Sequence, residues 1–453
     1  MAQANSNAWR ELVEKEDWWA IWLGLGIILL AWLFFASGSS IGWIAVSPPS
    51  RWATLSELGA HFGSEWPRYL AQFLLWAAVF SVSMRFMGAK LGEFVPAFGF
   101  VYASALIIYT VGRWEYASEY SLEAPLVALV VGLLISNLIG LPRWLDAGFR
   151  VEYYIKTGIV LLGATLPFTL IIWAGPVALL QATIVSITTF LVIFLVGKKL
   201  GLDRRLCATL GAGGAVCGVS ASIAIAGAVG AKKEHAPIAI TMVVIWALIM
   251  IFFLPQASRL LGLHAGVAGA WIGTSEFADA AGLAAAQAYG NMAEQLASIE
   301  GTADNAVNNF TLMKVVGRDI WIGIWAFILA IVATTRWETD RVDRPRVGEI
   351  WQRFPKFVLG FAVASLLVTL VASSYTLEDY DAIVRPEFVN PIRTLRSWAF
   401  IFCFFSIGLT TRFRELAAAG SKPFWAFTSG VAVNVVIGFI LSVVVFGSYW
   451  AAL

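Results

Sequence analysis

Residues 205–230 read RLCATLGAGGAVCGVSASIAIAGAVG, and residues 264–290 read HAGVAGAWIGTSEFADAAGLAAAQAYG. Both are built mainly from Gly, Ala and Ser, and long apolar runs flank them. They are too weakly apolar to face lipid comfortably, and their glycines permit tight turns and close backbone approach. If each crosses a membrane, Lys232, Lys233 and His235 fall outside, against the excess of basic residues that cytoplasmic loops carry. If each is a re-entrant hairpin, Lys232 and Lys233 return to the cytoplasm and the other loops keep their sides. Non-helical backbone at membrane depth is tolerated where protein or a watery cavity buries it. A discontinuous crossing helix is the other arrangement these residues allow.

The rest of the chain supplies the membrane around these two stretches. Of 453 residues, 59% are in the set AVILMFWYC and 13% are charged, and the mean hydropathy is +0.77. A soluble domain runs at roughly 25% charged. Such a chain excludes a disordered protein, a disulfide scaffold and a basic nucleic-acid binder. The net charge of +2 carries no message about acidic partners. Cys207, Cys217 and Cys403 all lie in apolar stretches, which argues against a disulfide framework. Twenty-one tryptophans suit aromatic belts at two interfaces.

Apolar runs near the roughly 20 residues needed to cross hydrocarbon recur at 18–36, 67–83, 94–112, 124–141, 156–174, 176–197, 237–255, 315–335, 357–375, 394–411 and 423–449. They are apolar all round, whereas a barrel wants alternating segments of about ten residues. The expected fold is an all-α polytopic membrane protein with about 11 full spans, plus the two small-residue elements as re-entrant or discontinuous helices. The first run follows Glu11, Glu14, Glu16 and Asp17 and reads as an anchor, with Trp18 and Trp19 at the interface, rather than a cleaved signal.

Loop charge orients the spans. Arg143, Arg150 and Lys156 in 142–156, and Lys198, Lys199, Arg204 and Arg205 in 198–205, belong in the cytoplasm, as do Arg336, Arg341, Arg344, Arg346, Arg353 and Lys356 in 336–356. Loop 291–313, with Glu294, Glu300 and Asp304 and no Lys or Arg, and loop 376–393, acidic for most of its length, fit the outside.

The hairpin reading exposes a symmetry. One set of elements is 124–141, 156–174, 176–197, hairpin 205–230 and span 237–255. The other is hairpin 264–290, then 315–335, 357–375, 394–411 and 423–449, circularly permuted. Each matched pair has opposite orientation, and inverted repeats of this kind mark secondary transporters. The expected organisation is an added transmembrane region at 1–115 and a transporter core at 116–453, with repeats at about 124–255 and 264–450.

The first tip, Gly213-Gly214-Ala215-Val216-Cys217-Gly218-Val219-Ser220-Ala221-Ser222, is the most informative stretch. A helix restarting after it aims free N–H groups and a positive dipole end at the midplane, and Ser220 and Ser222 add hydroxyl donors. That suits an oxyanion, against the plainer reading of tight helix packing by small residues. In the second tip, Gly273-Thr274-Ser275-Glu276-Phe277, the residues Thr274 and Ser275 adjoin Glu276. Glu276 and Asp279 share a helix face. Intramembrane carboxylates are costly and usually functional, so both are candidates to carry a proton or bind a coupling cation; the plainer reading is a solvated outer surface. Lys314 opens the span 315–335 and reads as a snorkelling anchor. Arg318 and Asp319 are candidates to pair beside a substrate path. Cys217 in an apolar setting reads as packing or site lining rather than a reactive thiol.

His61, His235 and His264 lack metal-ligand spacing, and no Walker loop, zinc motif, haem motif or nucleophile elbow occurs. No cofactor, no metal and no enzymatic activity are expected.

Three stretches, RVEYYIKTGIVLLG, KKLGLDRRLCATLGAGGAVCGVSASIA and WIGTSEFADAAGLAAAQAYG, resemble the bacterial sulfate exporter family of inner-membrane proteins. The similarity covers roughly 124–450, and CGVSASIA resembles its Cys-Gly-x-Ser-Ala signature. Where that family has a His followed by an acidic residue, this chain has Phe277 and Ala278, flanked by Glu276 and Asp279. The resemblance implies a secondary-carrier fold in the cytoplasmic membrane and anion efflux.

The combined expectation is a secondary transporter of a small anion, sulfate or an organic sulfonate, coupled to a proton or sodium, in which a homodimer is allowed. The alternatives are a cation/proton exchanger or sodium-coupled carrier using the same acids, and a channel or structural membrane subunit.

Overall fold

The computed structural model describes residues 12–117, 122, 124–166, 168–232, 234–296, 298–337, 355–416 and 420–453. Glu11, Lys233, Arg341, Arg344, Arg346 and Arg353, used above to set orientation, lie outside the described residues. The protein is helical, and among the described residues no strand is formed. Apolar surroundings dictate this, because a backbone group without water must find its partner within the chain, and a helix supplies it locally.

In chain order the principal helices are α1 (Glu16–Ala36), α2 (Leu55–Phe86), α3 (Leu91–Gly112), α4 (Ala124–Leu134), α5 (Val151–Gly163), α6 (Phe168–Lys199), α7 (Arg204–Ala215), α8 (Val219–Ala228), α9 (His235–Leu260), α10 (Ala265–Ser275), α11 (Asp279–Gln295), α12 (Ala303–Thr311), α13 (Trp321–Val332), α14 (Phe357–Ala372), α15 (Asn390–Thr410), α16 (Ser421–Phe439) and α17 (Gly447–Ala452). Among the described residues eight helical segments are long and apolar enough to cross a membrane. The chain is thus a multi-pass α-helical membrane protein.

The spans differ from the sequence expectation in places. Three of the expected full spans are shorter helices: α4, which a π-helical turn extends to Ile139, the 13-residue α5, and the 16-residue α14. The break between the second and third of the expected core spans is at 164–166, not at Gly175-Pro176. Pro176 lies inside α6, where its missing N–H is tolerated as in other transmembrane helices. The span expected at 315–335 begins at Ala303 and runs to Trp337 through π-helical turns, so Lys314 sits mid-span instead of at an end. The stretch 376–393 is not a plain loop: residues 380–389 are π-helical and lead into α15.

The chain divides into two compact units, Met1–Leu170 with Lys356–Thr411, and Ile171–Pro355 with Arg412–Leu453. In the first unit glycines set the helix contacts. A Cβ on Gly132 of α4 would stand 2.6 Å from the Phe405 carbonyl oxygen of α15, and one on Gly163 of α5 would collide with the Phe361 carbonyl of α14. Trp76, Phe80, Phe98, Tyr102, Trp398 and Phe402 form an aromatic core, with Tyr102 stacked on Trp398 at 4.9 Å. Asp17 at the start of α1 pairs with Lys156 of α5 at 2.8 Å.

The second unit holds both small-residue elements, and each is a hairpin. Arg205, at the start of α7, donates from Nη1 to the carbonyl of Gly230, just past the end of α8, at 2.8 Å. The two ends of the element are therefore neighbours, which a crossing helix forbids. Gly218, at φ +78°, reverses the chain between the arms. In the second element the Tyr289 hydroxyl of α11 donates to the carbonyl of Leu263, just before α10, at 2.6 Å. The 26-residue α9 joins the two hairpin bases, and at 1.5 Å per residue it separates them by about 39 Å, more than a hydrocarbon core. The hairpins thus enter from opposite sides, and their tips meet where Gly218 lies against the Phe277 carbonyl.

This topology fixes an accessibility pattern. Single cysteines at 203 and 231 should label from one face of the membrane, and those at 264 and 300 from the other. Labelling of 203 and 231 from opposite faces would restore crossing helices.

Candidate functional site

Where a hairpin turns inside the membrane, its first arm ends with carbonyls that have no helical partner. Here two such ends, those of α7 and α10, come together. The side chains that answer them come from the π-helical segment Leu312–Arg318 that follows α12; helical irregularities of this type recur at functional sites. Lys314 Nζ donates to the carbonyl of Val216 at 2.9 Å and to that of Glu276 at 2.8 Å, bridging the two tips. Arg318 Nη2 donates to Gly214 at 3.1 Å, and its Nη1 reaches the carbonyls of Thr274 at 2.6 Å, Glu276 at 3.0 Å and Gly273 at 3.3 Å. Both cations are fully buried. Two positive groups at two negative helix ends is the pairing that the macrodipole favours.

The second arms start at the same place with the opposite polarity. The first intrahelical bond of α8 is from Ser222 N–H to Gly218, so the N–H groups of Val219, Ser220 and Ala221 precede the ladder. Just before α11, whose first turn has no side-chain cap, a carboxylate of the protein folds back on the tip. Glu276 Oε1 accepts from Phe277 N–H at 3.0 Å and Ala278 N–H at 3.3 Å, while Oε2 meets no donor among the described residues. Val219, Ser220, Ala278 and Asp279 are the partly exposed residues at the tips. Asp279 Oδ1 lies 3.6 Å from Lys314 Nζ, with 17% of its side chain exposed. The Cys217 thiol and the carboxylates of Asp279 and Asp319 all lie within 4.8 Å of one another.

Of the residues singled out in the sequence, the structure brings together Cys217, Gly218, Ser220, Glu276, Asp279 and Arg318. Glu276 is fully buried, which overturns the plainer reading of a solvated surface acid. Gly214 and Thr274 reach the site only through the carbonyls that accept from Arg318, and the remaining contacts of the other residues are packing. The Ser222 hydroxyl donates to the Gly218 carbonyl at 2.9 Å inside the hairpin. Gly213 lies against Ser222 and Val243, and Gly214 against Ile193 and Phe427. Thr274 and Ser275 pack on Gly438 of α16, where a Cβ would stand 2.6 Å from each hydroxyl.

Lys314 corrects the sequence reading: it is not a snorkelling anchor, because the helix carrying it starts eleven residues earlier and places it at mid-depth. The signal available for it was the i, i+4 spacing of Lys314 and Arg318 within NNFTLMKVVGRDIW, which puts two cations on one face of an apolar helix.

Two substitutions test this arrangement. Arg318→Leu leaves buried carbonyls without donors at about 1–3 kcal/mol each, and should lower the detergent unfolding midpoint sharply, whereas a mere surface-path arginine would leave it unchanged. Gly218→Val should be equally damaging, since φ +78° is strained for a side chain and its Cβ would stand 2.5 Å from the Phe277 carbonyl oxygen. A native midpoint for Gly218→Val would show that the tips do not touch.

The family described as Conserved hypothetical protein 698 matches residues 96–427. The UPF0324 membrane protein of Rhodopirellula baltica is 33% identical over 412 residues, which covers 88% of this chain and 72% of that protein. A UPF0324 membrane protein of Nitratidesulfovibrio vulgaris is 32% identical over 372 residues, 81% of this chain and 62% of its own length. That of Nitrosomonas europaea is 29% identical over 471 residues, 93% of each chain. No solved structure matches the chain. With a match over most of its length and relatives at this level of identity, the chain belongs to the family described as Conserved hypothetical protein 698.

Proposed function

We propose that this protein is a secondary transporter, not an enzyme, which carries a small anion, sulfate or an organic sulfonate, across the cytoplasmic membrane. The observation that carries the reading is the meeting of two re-entrant tips around buried charge. The N-terminal end of α8 offers the N–H groups of Val219, Ser220 and Ala221, with the Ser220 side chain half-buried beside them. Helix ends of this kind bind oxyanions, and broken helices around a midplane site recur in secondary carriers.

Helix packing supports the inverted repeat. Under the permuted pairing, α4 corresponds to α14 and α5 to α15. The contact of α4 with α15 through Gly132 and Gly408 then has its counterpart in the contact of α5 with α14 through Gly163. Each compact unit holds matching members of both repeats: α4, α5, α14 and α15 in one, and both hairpins with α9, α12–α13 and α16 in the other.

Ion coupling falls to the acids at the tips, Glu276 and Asp279. The closeness of Asp279, Asp319 and Cys217 favours a second reading, a cation exchanger or sodium-coupled carrier built on the same acids. Lys314 and Arg318 beside them weigh toward an anion.

Counterflow in proteoliposomes decides the class. Labelled sulfate should enter faster when unlabelled sulfate is inside; flux without such stimulation points to a channel, and no flux of sulfate or sulfonates removes the anion reading. Ser220→Ala should weaken sulfate binding by about 1 kcal/mol, the usual net value of one hydrogen bond. Glu276→Gln keeps the shape and cannot ionise, so exchange should persist while accumulation driven by a pH gradient is lost. Full gradient-driven accumulation in that variant would remove Glu276 from the coupling role.

A further inference from the structure

We infer that the ammonium group of Lys314 occupies the position of a coupling cation, so that this carrier works without sodium. The inference deepens the transporter reading, on which only its transport measurement rests. Secondary carriers bind sodium with carbonyls from unwound backbone and half-helix C-terminal ends near the membrane midplane. Lys314 Nζ has that ligand set. It sits on the carbonyl of Val216, at the end of α7, and on that of Glu276, at the end of α10, at 2.9 and 2.8 Å. An ammonium has three donors and no acceptor. Two are spent on these carbonyls, and the third side of the nitrogen faces the Asp279 carboxylate at 3.6 Å.

The charges around the nitrogen are consistent with a resident cation. Asp279 and Asp319 face it together with the Cys217 thiol, while Arg318 on the same helical segment takes the neighbouring carbonyls of Gly214, Gly273 and Thr274. Glu276 turns its carboxylate to its own N–H groups and offers Lys314 only its carbonyl. A free cation brought to Val216 and Glu276 would have to displace a fully buried, tethered one. A lysine is suited to this seat because its charge is compact, whereas the guanidinium of Arg318 spreads over several carbonyls. With the seat filled, the driving ion left to the site is the proton, through the carboxylates at the tips.

Removing the side chain should therefore open a cation site. The test measures thermal unfolding of the purified full-length protein in sodium chloride and in N-methylglucamine chloride at equal ionic strength. Wild type should melt at the same temperature in both. Lys314→Ala should melt lower in N-methylglucamine and recover progressively as sodium replaces it, because a ligand bound only to the folded state stabilises it by mass action. Adding Asp279→Asn should abolish that recovery. Lys314→Gln, which retains a donor, serves as the second variant if Lys314→Ala does not fold, with the same recovery expected. A sodium-dependent rise for wild type, or no sodium response in either Lys314 variant, would overturn the inference. In counterflow, wild type should exchange labelled sulfate at equal rates in the two salts, and stimulation by sodium would overturn it as well. Absence of any sulfate exchange, with sodium recovery of the variants intact, would sink the anion reading and leave the ammonium seat standing.

Discussion

A helix that stops inside hydrocarbon leaves carbonyl oxygens that neither water nor the next helical turn can reach. This protein has two such ends at one place, and the rest of the second unit follows from how they are satisfied. Lys314 and Arg318 between them take the carbonyls of Gly214, Val216, Gly273, Thr274 and Glu276. They can do so only because the helix from Ala303 to Trp337 brings them to the tips at mid-depth, fully buried. A buried cation is costly unless fully paired, and an end carbonyl is costly unless bonded, so each defect is the remedy for the other. The π-helical turns between Leu312 and Arg318 belong to the same device, since they set which side chains of that helix face the tips.

Small residues then make the geometry reachable. Gly269 of α10 lies so close to Ala306 of α12 that a Cβ would overlap its backbone, and Gly290 of α11 meets Ala303 at 2.7 Å in the same sense. In lipid, where apolar burial gives helices little reason to associate, close backbone packing of this kind is the main attraction. The glycines that were candidates for substrate contact therefore divide by environment. Gly218 turns the chain at a positive φ and touches the opposite tip, while Gly213 and Gly214 admit neighbouring side chains.

The two tips differ in backbone and in charge: Gly218 turns the first at φ +78°, whereas Glu276 and Ala278 are extended in the second. Just before α11, Glu276 turns its carboxylate back on the N–H groups of Phe277 and Ala278, so an anionic side chain of the protein already stands in this tip. At the start of α8 no acidic residue occurs between Val216 and Val229, and a half-buried serine stands at the second position.

The sequence by itself determined the class of the protein and where its irregular elements lie. Apolar runs with little charge leave only helices as spanning structures, and Gly-, Ala- and Ser-rich stretches face lipid poorly, so 205–230 and 264–290 stand out from composition alone. Loop charge favoured hairpins, and the bond from Arg205 to Gly230 bears that out. The break at 164–166 was not legible, because Gly175-Pro176 carries the stronger local breaker signal, yet the helix continues through Pro176. Nor could local pattern separate Ser220, at the mouth, from Ser222, turned inward to a carbonyl, since both are small polar residues near one tip. Tertiary structure alone decided the role of Lys314. An i, i+4 pair of cations on an apolar helix reads as an anchor or as a site according to depth. Depth was set by a helix start at Ala303 that hydropathy did not mark, and by carbonyl partners 38 and 98 residues away in the chain.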